Sequence, residues 1–453
     1  MGVDKFRVII VGGGPVGVYM AQALSAANID FVVLEQQAAI VRPDAILGTV
    51  LFLWPHTARL CDQLGLLDKI KGPALSPLRK DKLLGNSGRV ISRSYFWSSL
   101  DKFHGYSFDS YERGEILKCL YENLPEKERK VRTGVEVTDI ESHESGVRVH
   151  LQDGSVEEGS IVIGADGIHS KTRAVMRRLA KGPSSEDPMT ATYRGIFSRA
   201  KNDFGIENQV FFESHNKGTV TQSGAQGDVF YFGCFSALPK PTKLRQRYTA
   251  EDMEEFAASV AEVSLCPGIK FKDVWAKADK AASRLIDQHE GYVDKWHHDR
   301  IVLVGDSVHK MTSVAGLGVN SAMHSAAALA NELQALVSSD PNPSTSSLSE
   351  AFSRYQKARE EDAKQEWKIA HSLSLQTTWK SWRLWFWDRF VEPWIEDIVM
   401  RPALSSVLKK GHILNYVPFT GRQGSIPWKN KPNKQLNSAL DTSEKGEKVG
   451  LKG

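Results

Sequence analysis

The chain has 453 residues of ordinary globular composition, a formal net charge of +4 at pH 7 and four cysteines. This length suits two or three domains, or one large α/β body with an inserted sheet. So small a charge on so long a chain argues against a nucleic-acid partner. The cysteines show neither a CxxC pair nor a metal-ligand spacing, so we expect separate thiols in a reducing compartment and no metal site. They are Cys61, Cys119, Cys234 and Cys266.

The first predicted elements are a strand, a glycine-rich turn, a helix and a second strand. Residues 8–11 are an apolar strand, residues 12–17 are GGGPVG, residues 18–27 form a helix, and residues 31–34 form a second apolar strand that ends at Glu35. The first strand begins almost at the N-terminus, which leaves no room for a signal peptide. This order predicts a βαβ unit that binds a dinucleotide.

The glycines of that unit and Glu35 each have a physical role in binding. Gly12 allows the tight turn, Gly14 lets the backbone approach a pyrophosphate, and Gly17 lets helix and strand pack closely. The pyrophosphate would bind at the helix N-terminus, where free N–H groups and the helix dipole favour an anion. Glu35, about twenty residues further along, would accept hydrogen bonds from both ribose hydroxyls.

The middle of the chain is predicted to be rich in antiparallel strands. Residues 136–140 and 147–151 alternate apolar and polar side chains, as in a hairpin. A separate lobe follows, with a helix at residues 250–261 that Thr249 would cap. Its strands are predicted at residues 193–197, 208–212, 219–222 and 229–235.

The last part of the chain returns to α/β structure and then becomes helical. Residues 301–304 form a buried strand, and helices are predicted at residues 318–336 and 349–371. No stretch has the length and apolarity of a membrane-spanning helix. We therefore expect a cytoplasmic protein without stable membrane insertion, with peripheral attachment to a membrane as the alternative. From residue 429 onward the composition is polar, so we expect a disordered tail.

Two further motifs place glycine and an acidic residue at the carboxyl end of a predicted strand. Residues 164–173 are GADGIHSKTR, and residues 305–310 are GDSVHK, followed by GLGVN at residues 316–320. Open α/β sheets bind their ligands at this edge. The two motifs and the βαβ unit therefore predict one shared cofactor site.

In their order and spacing, these three motifs resemble the single-component FAD-dependent aromatic hydroxylases, the group A flavin monooxygenases. The resemblance implies an α/β fold with a Rossmann-like FAD-binding domain of the glutathione reductase type, an inserted antiparallel β-sheet substrate lobe and a C-terminal helical region. The FAD-binding domain would comprise residues 1–180 and 296–340, the substrate lobe residues 181–295, the helical region residues 341–428 and the tail residues 429–453. The implied cofactors are non-covalent FAD and a transient NADPH or NADH, with O2 as the oxygen source.

The resemblance also implies roles for individual residues. Glu35 would hold the adenosine ribose, and Arg113 would reach the cofactor from the start of a helix, the alternative being a surface helix arginine. Asp306 would bind the ribityl or pyrophosphate region. Gly318 and Val319 would lie against the isoalloxazine ring.

Three more residues come from the same resemblance. Gly48 and Thr49 match the loop that flanks the other side of the flavin ring. Asp166 matches a motif residue with an indirect role at the cofactor. The alternative for Asp166 is a turn former that bonds its own backbone.

Other motifs resemble the fungal secondary-metabolism branch of this family, which includes paxilline-type epoxidases and prenylated indole alkaloid monooxygenases. They are PHTAR at residues 55–59, DQLG at 62–65, HKMT at 309–312 and GHILNYVP at 411–418. In this branch the position of Arg194 faces the substrate as a hydrogen-bond donor or acid. Arginine keeps its proton, so it would polarise an oxygen atom, the alternative being a solvated strand arginine. Tyr231 and His215 are further pocket candidates.

The resulting expectation is an FAD-dependent, NAD(P)H-consuming monooxygenase that epoxidises or hydroxylates an unsaturated carbon of a bulky, mostly apolar secondary metabolite. The favoured target is the indole C2=C3 bond of a prenylated indole alkaloid, with or without a later rearrangement. One alternative is a meroterpenoid or indole-diterpene prenyl-chain epoxidase. Another is a phenol or anthranilate hydroxylase, which needs a general base. The alternative of another class is a non-catalytic flavin-binding protein.

A dense group of tryptophans precedes the C-terminal motifs. It suits either a membrane-interface face or packing of helices against the FAD domain. Charged residues interrupt the group on all sides, which favours packing. The group consists of Trp379, Trp382, Trp385, Trp387 and Trp394.

Overall fold

The computed structural model of the chain describes residues 5–42, 50–72, 75–180 and 187–433. The strands are β1 (Arg7–Val11), β2 (Asp30–Glu35), β3 (Val50–Leu53), β4 (Arg79–Leu84), β5 (Val90–Ser94), β6 (Asp109–Glu112), β7 (Val131–Thr133), β8 (Val137–His143), β9 (Gly146–Leu151), β10 (Val156–Gly159), β11 (Ile161–Gly164), β12 (Thr190–Lys201), β13 (Val210–Asn216), β14 (Thr219–Gln226), β15 (Val229–Thr242), β16 (Ser264–Cys266), β17 (Ile269–Lys270), β18 (Arg284–Tyr292), β19 (His297–His298), β20 (Ile301–Leu303) and β21 (His309–Lys310). The helices are α1 (Pro15–Ala26), α2 (Pro55–Gln63), α3 (Leu100–His104), α4 (Arg113–Glu122), α5 (Lys127–Lys130), α6 (Lys171–Leu179), α7 (Ala250–Ser259), α8 (Phe271–Trp275), α9 (Gly318–Ser339), α10 (Thr345–Thr377), α11 (Trp382–Phe386) and α12 (Glu392–Leu408), and a π-helical turn at Trp387–Val391 joins the last two.

The cofactor-type domain is built on a six-stranded sheet in the order β19-β20-β11-β1-β2-β7. Its neighbouring strands are parallel except for the antiparallel edge strand β19. The central strands are apolar and buried except for polar residues at their ends, because helices such as α1 and α6 pack against the sheet. This arrangement brings the ends of β1, β11 and β20, where the three motifs begin, to the same edge of the sheet.

Several local predictions are confirmed. The alternating segments form the antiparallel pair β8–β9, with β10 as a third strand. The Thr249 side chain accepts a hydrogen bond from the Asp252 backbone N–H and caps α7. The two predicted C-terminal helices are α9 and the longer α10. All four cysteines are buried free thiols.

None of the helices in the described part of the chain combines the length and apolarity needed to cross a bilayer.

The second large sheet has eight strands in the order β21-β18-β12-β15-β14-β13-β4-β5. It is antiparallel except that β4 lies parallel to β13. Strands β4 and β5 come from the segment predicted as the first part of the FAD domain, so the lobe boundary at residue 181 is corrected. A parallel pair needs no hairpin turn, and strands so distant along the chain carry no local sign of their pairing.

The chain beyond α12 packs against the body as far as the start of the predicted tail. The Lys429 backbone N–H donates to the Lys409 carbonyl at 2.7 Å. The Arg59 guanidinium donates to the Asn430 carbonyl at 2.9 Å, and the Asn430 side-chain amide donates to the Lys410 carbonyl at 2.8 Å. The tail boundary at residue 429 is therefore corrected, because these two residues are hydrogen-bonded. Residues 434–453 lie outside the described residues.

Candidate active site

A cleft that is partly open to solvent lies between the two large sheets. On one side it is lined by residues that directly follow β1, β11 and β20, including Gly14, Ala165 and Asp306. On the other side it is lined by side chains of the eight-stranded sheet, such as Phe197 and Tyr231. The cleft thus extends from the edge of the six-stranded sheet, where the three motifs begin, to the inner face of the second lobe.

The glycines of the first motif have three distinct surroundings. Gly12 has φ +108°, and a Cβ atom there would lie 2.5 Å from the Ala165 carbonyl oxygen. A Cβ atom on Gly17 would overlap the Gly12 carbonyl oxygen. A Cβ atom on Gly14 would meet no atom within 4 Å. Gly12 and Gly17 therefore serve the packing of the turn, and Gly14 leaves open space at the N-terminus of α1, where a pyrophosphate fits.

The Glu35 carboxylate lies beside this turn, at the end of β2. Its Oε2 atom accepts a hydrogen bond from the Gly13 backbone N–H at 2.6 Å. Its Oε1 atom accepts one from the Gln37 backbone N–H at 2.8 Å. These bonds hold the carboxylate in place, and each oxygen keeps a lone pair for a ribose hydroxyl.

Two residues of opposite charge line the cleft. Arg113, the first residue of α4, is walled in by protein but accessible from within the cleft. Burial lowers the pKa of its guanidinium, and the nearby Asp306 carboxylate opposes that shift. Asp306 also accepts a hydrogen bond from the Lys310 ammonium at 2.7 Å. Lys310, which lines the cleft too, was not predicted, although its position in the GDSVHK motif is a usable signal.

Asp166 lies beside the cleft, and both oxygens of its carboxylate accept hydrogen bonds from the residues that follow it. It accepts hydrogen bonds from the Ser170 hydroxyl at 2.5 Å, the Thr172 backbone N–H at 2.9 Å and the Thr172 hydroxyl at 3.0 Å. Burial raises the pKa of the carboxyl, and these hydrogen bonds oppose the shift. These hydrogen bonds hold the turn whose Ala165 and Gly167 line the cleft.

The start of α9 forms another part of the wall. Gly318 and Val319 line the cleft. Asn320, one residue further on, donates from its side-chain amide to the Phe52 carbonyl at 2.7 Å. This hydrogen bond connects α9 to strand β3. Gly48 and Thr49 lie outside the described residues. Phe52 itself lines the cleft beside the start of α9.

The second lobe contributes a wall of mostly aromatic and aliphatic side chains that the sequence analysis missed, apart from Tyr231. The Tyr231 hydroxyl donates to Glu112 at 2.8 Å. Burial and then this hydrogen bond raise the pKa of the Tyr231 phenol. Alternation along each strand predicts two faces but not the face that borders a cleft. The missed side chains are Phe197, Phe211, Gln222, Phe235 and Ile286.

The structure corrects the prediction that Arg194 contacts the substrate. Its guanidinium lies 5.2 Å from the centre of the Phe256 ring of α7. Phe197, three residues along the same strand, lines the cleft. Side chains an odd number of residues apart on a strand point to opposite faces, so Arg194 lies on the outer face of the sheet, away from the cleft.

His215 is also corrected as a pocket residue. It lies on the same face of β13 as Phe211 but beyond the cleft, where the π-helical turn covers the sheet. Its Nδ1 atom lies 2.8 Å from the Asp388 carboxylate, and its Nε2 atom lies 3.2 Å from Glu213. Burial alone would lower the pKa of the imidazole, but the two carboxylates reverse this effect and raise it. His215 is therefore a buried member of an ion-pair cluster.

The cofactor half of the cleft fits FAD on these observations. Open space lies above the α1 terminus at Gly14, an oriented carboxylate stands at Glu35, and Arg113 faces the cleft. From there the cleft continues to the apolar wall of the second lobe.

Comparisons with known proteins agree with this geometry. Residues 5–345 match the FAD binding domain family. The FAD-dependent monooxygenase srdH of Neurospora crassa is 47% identical over 446 residues, which cover 94% of this chain and 99% of that protein. The FAD-dependent monooxygenase prhF of Penicillium brasilianum is 32% identical over 434 residues, covering 93% of this chain and 89% of that protein.

A solved structure shares the fold. Klebsiella pneumoniae HpxO complexed with FAD and uric acid superposes with a TM-score of 0.70 at 19% sequence identity, and the match covers 89% of this chain and 96% of that chain. The matching domain extends over most of the chain, and the relatives match nearly all of it. The chain therefore belongs to the group A FAD-dependent monooxygenases, in a family of fungal secondary metabolism.

Proposed function

We propose that this monooxygenase epoxidises an electron-rich C=C bond of a bulky, mostly apolar small molecule, with the indole C2=C3 bond of a prenylated indole alkaloid as the preferred target. The observation that carries the proposal is the composition of the sheet side of the cleft. Lys310 of the edge strand β21 pairs with Asp306 on the cofactor side. Apart from it, the polar side chains among the described residues on that side are Gln222, Ser223 and Tyr231, and none of these three is ionised. The other lining side chains are aromatic or aliphatic.

This composition favours epoxidation over phenol hydroxylation. Activation of a phenol needs a base within reach of its hydroxyl. The raised pKa of Tyr231 keeps it protonated, and its hydroxyl is directed at Glu112. An alkene or an indole ring needs no deprotonation before it accepts an oxygen atom. Bound FAD, once reduced by NAD(P)H, would supply the oxygen chemistry from O2. The protein would orient the substrate and exclude water from the reacting atoms.

Gln222 provides a specific contact for an indole. Its Nε2 atom donates to Glu213 Oε1 at 2.9 Å and to the Val314 carbonyl at 2.8 Å. Both partners are acceptors, so they determine which end of the amide is the nitrogen. The Oε1 atom is therefore the acceptor that remains. We assign to it the indole N–H, which would orient the ring edge in the cleft.

The aromatic wall would hold the rest of the ring system. Phe197 and Phe235 contact each other edge to face, with ring centres 5.2 Å apart. Such a pair offers both a ring face and a ring edge to an aromatic substrate. Burial of the ring against this wall also removes water from the reacting carbon atoms.

The test is a product assay with purified holoenzyme, NADPH or NADH, and three substrate classes: prenylated indoles, terpenoids with free prenyl chains, and phenols or anthranilates. We expect indole-stimulated consumption of reductant and a product heavier by one oxygen atom. Oxygenation of the prenyl chain alone, or of phenols alone, would replace the proposal by one of those alternatives. Reductant consumption that no substrate stimulates would favour a flavin-binding protein without turnover.

The Gln222 contact has its own test. Gln222→Leu should raise KM for an N–H indole by about tenfold, because a buried hydrogen bond contributes about 0.5–1.5 kcal/mol and its unpaired partner costs more. An N-methylated indole should be bound equally by both enzymes. Arg194→Ala is the matched control on the outer face of the same sheet. Equal losses with both indoles in Gln222→Leu would remove this contact and leave the reaction class untouched.

A further inference from the structure

The segment from α11 to α12 carries an outward stripe of large apolar side chains, which we call the aromatic stripe. Trp382 is 72% exposed, Trp394 is 82% exposed and Ile398 is 73% exposed. The expectation that the tryptophans pack against protein is therefore wrong for Trp382, Trp387 and Trp394, whereas Trp379 and Trp385 are half-buried. The stripe consists of Trp382, Phe386, Trp387, Phe390, Trp394, Ile398 and Val399.

The opposite face of the same segment is anchored by ion pairs. Asp388, Glu392 and Glu396 recur every fourth residue on the inner side, and they pair with Lys82 and Lys80 of β4. The Lys82 ammonium lies 3.3 Å from Asp388 Oδ1. These buried contacts fix the rotation of the segment about its axis, so the aromatic stripe faces outward as a fixed surface.

Charged side chains are also distributed unevenly over this segment, with the acidic ones on its inner face. Every acidic residue between α11 and the end of α12 has an inward partner, including Asp397, which accepts a hydrogen bond from Ser94 at 2.5 Å. The basic residues of this stretch have no ion-pair partner within the part of the chain that the structure describes. The Arg383 guanidinium lies over the Trp382 ring of the stripe, and the Arg401 guanidinium lies over the Phe103 ring of α3. The exposed basic residues in and next to this stretch are Lys380, Arg383, Arg401 and Lys409.

We propose that the aromatic stripe and its flanking cations bind the interface of an anionic phospholipid membrane, with the segment lying in the plane of the surface. Trp and Phe side chains suit the boundary between headgroups and acyl chains. Lysine and arginine beside them are attracted by anionic headgroups. From Trp382 to Ile398 the stripe extends roughly 25 Å at 1.5 Å per residue, enough for several residues to insert together.

A second copy of the chain is a poorer occupant of this surface. A two-fold contact places the same patch on both partners. Arg383 and Arg401 would then approach the same cations of the other copy, without an outward acid to neutralise them. An anionic lipid surface satisfies both the apolar and the cationic part of the patch.

The test is co-sedimentation of the full-length holoenzyme with phosphatidylcholine vesicles, with and without phosphatidylserine. We expect binding to the phosphatidylserine vesicles that weakens as salt is added. The double variant Trp382→Ser/Trp394→Ser should bind at least about tenfold more weakly. It lacks the two indole rings whose apolar area would be buried in the membrane interface. Leu244→Ser is the matched control, since Leu244 is 69% exposed outside this segment.

A charge variant keeps the proposal testable if the tryptophan variant does not fold, as judged by flavin content and melting temperature. Arg383→Gln/Arg401→Gln should lose binding to phosphatidylserine vesicles and keep its flavin. Wild-type protein that stays in the supernatant with both vesicles would overturn the proposal. So would unchanged binding by both double variants, or a dimer in sedimentation velocity that the tryptophan variant dissociates.

Discussion

Replacement of Gly14 by valine should remove FAD and leave the fold intact. The residue has φ −71° and ψ 177°, a conformation that any residue adopts, and its Cβ position meets no atom within 4 Å. The valine methyls would therefore enter the space at the N-terminus of α1 without disturbing the protein. They would separate the pyrophosphate from the free N–H groups of the first turn. Loss of two charge-assisted hydrogen bonds at about 1.5–3 kcal/mol each corresponds to a 10²–10⁴-fold loss of affinity.

The assay measures flavin absorbance per protein after purification, FAD titration of the apoprotein, and the melting temperature of the apoprotein. Gly14→Val should be colourless and melt like the wild-type apoprotein. Gly17→Ala is the contrasting variant, because its Cβ atom would overlap the Gly12 carbonyl oxygen. It should lose stability first and flavin only as a consequence. Full FAD occupancy in Gly14→Val would refute the assignment of the pyrophosphate to this turn.

Three further outcomes are expected. Glu35→Gln should weaken FAD binding by about ten- to a hundredfold, as measured by titration, since the carboxylate would hold the ribose and also accepts the Gly13 N–H; unchanged affinity with a lower melting temperature would make Glu35 purely structural. Arg194→Ala should keep FAD content, rate and product identity, because its side chain lies against Phe256 outside the cleft; an altered product in mass spectrometry would contradict that placement. His215→Gln should change how stability depends on pH: the raised pKa of His215 means that its stabilising charge is present below its ordinary value of 6.5 and is lost as pH rises through the higher folded pKa. The melting-temperature difference between wild type and His215→Gln should therefore shrink toward alkaline pH, and a difference that grows would reverse the sign of that argument.

Much of the cofactor half was predictable because its signals are local. The GGGPVG turn, the apolar strand before it and Glu35 after the next strand are set by backbone sterics and burial over a few residues. The capped helix after Thr249 and the β8–β9 hairpin follow from patterns of the same range. The order of the three motifs places them at one sheet edge, because parallel strands share that edge.

The tertiary structure alone decided what each face of an element meets. Alternation in β12 separates Arg194 from Phe197, but the packing of α7 decides which of the two faces borders the cleft. The imidazole of His215 meets Asp388 because the π-helical turn packs on the parallel strands β4 and β13, whose pairing has no local signal in the sequence. The tryptophan pattern likewise predicts a face, and whether protein or solvent covers it depends on where the inner carboxylates find their lysines on β4. Periodicity determines which side chains share a face, and long-range contacts determine what lies against it.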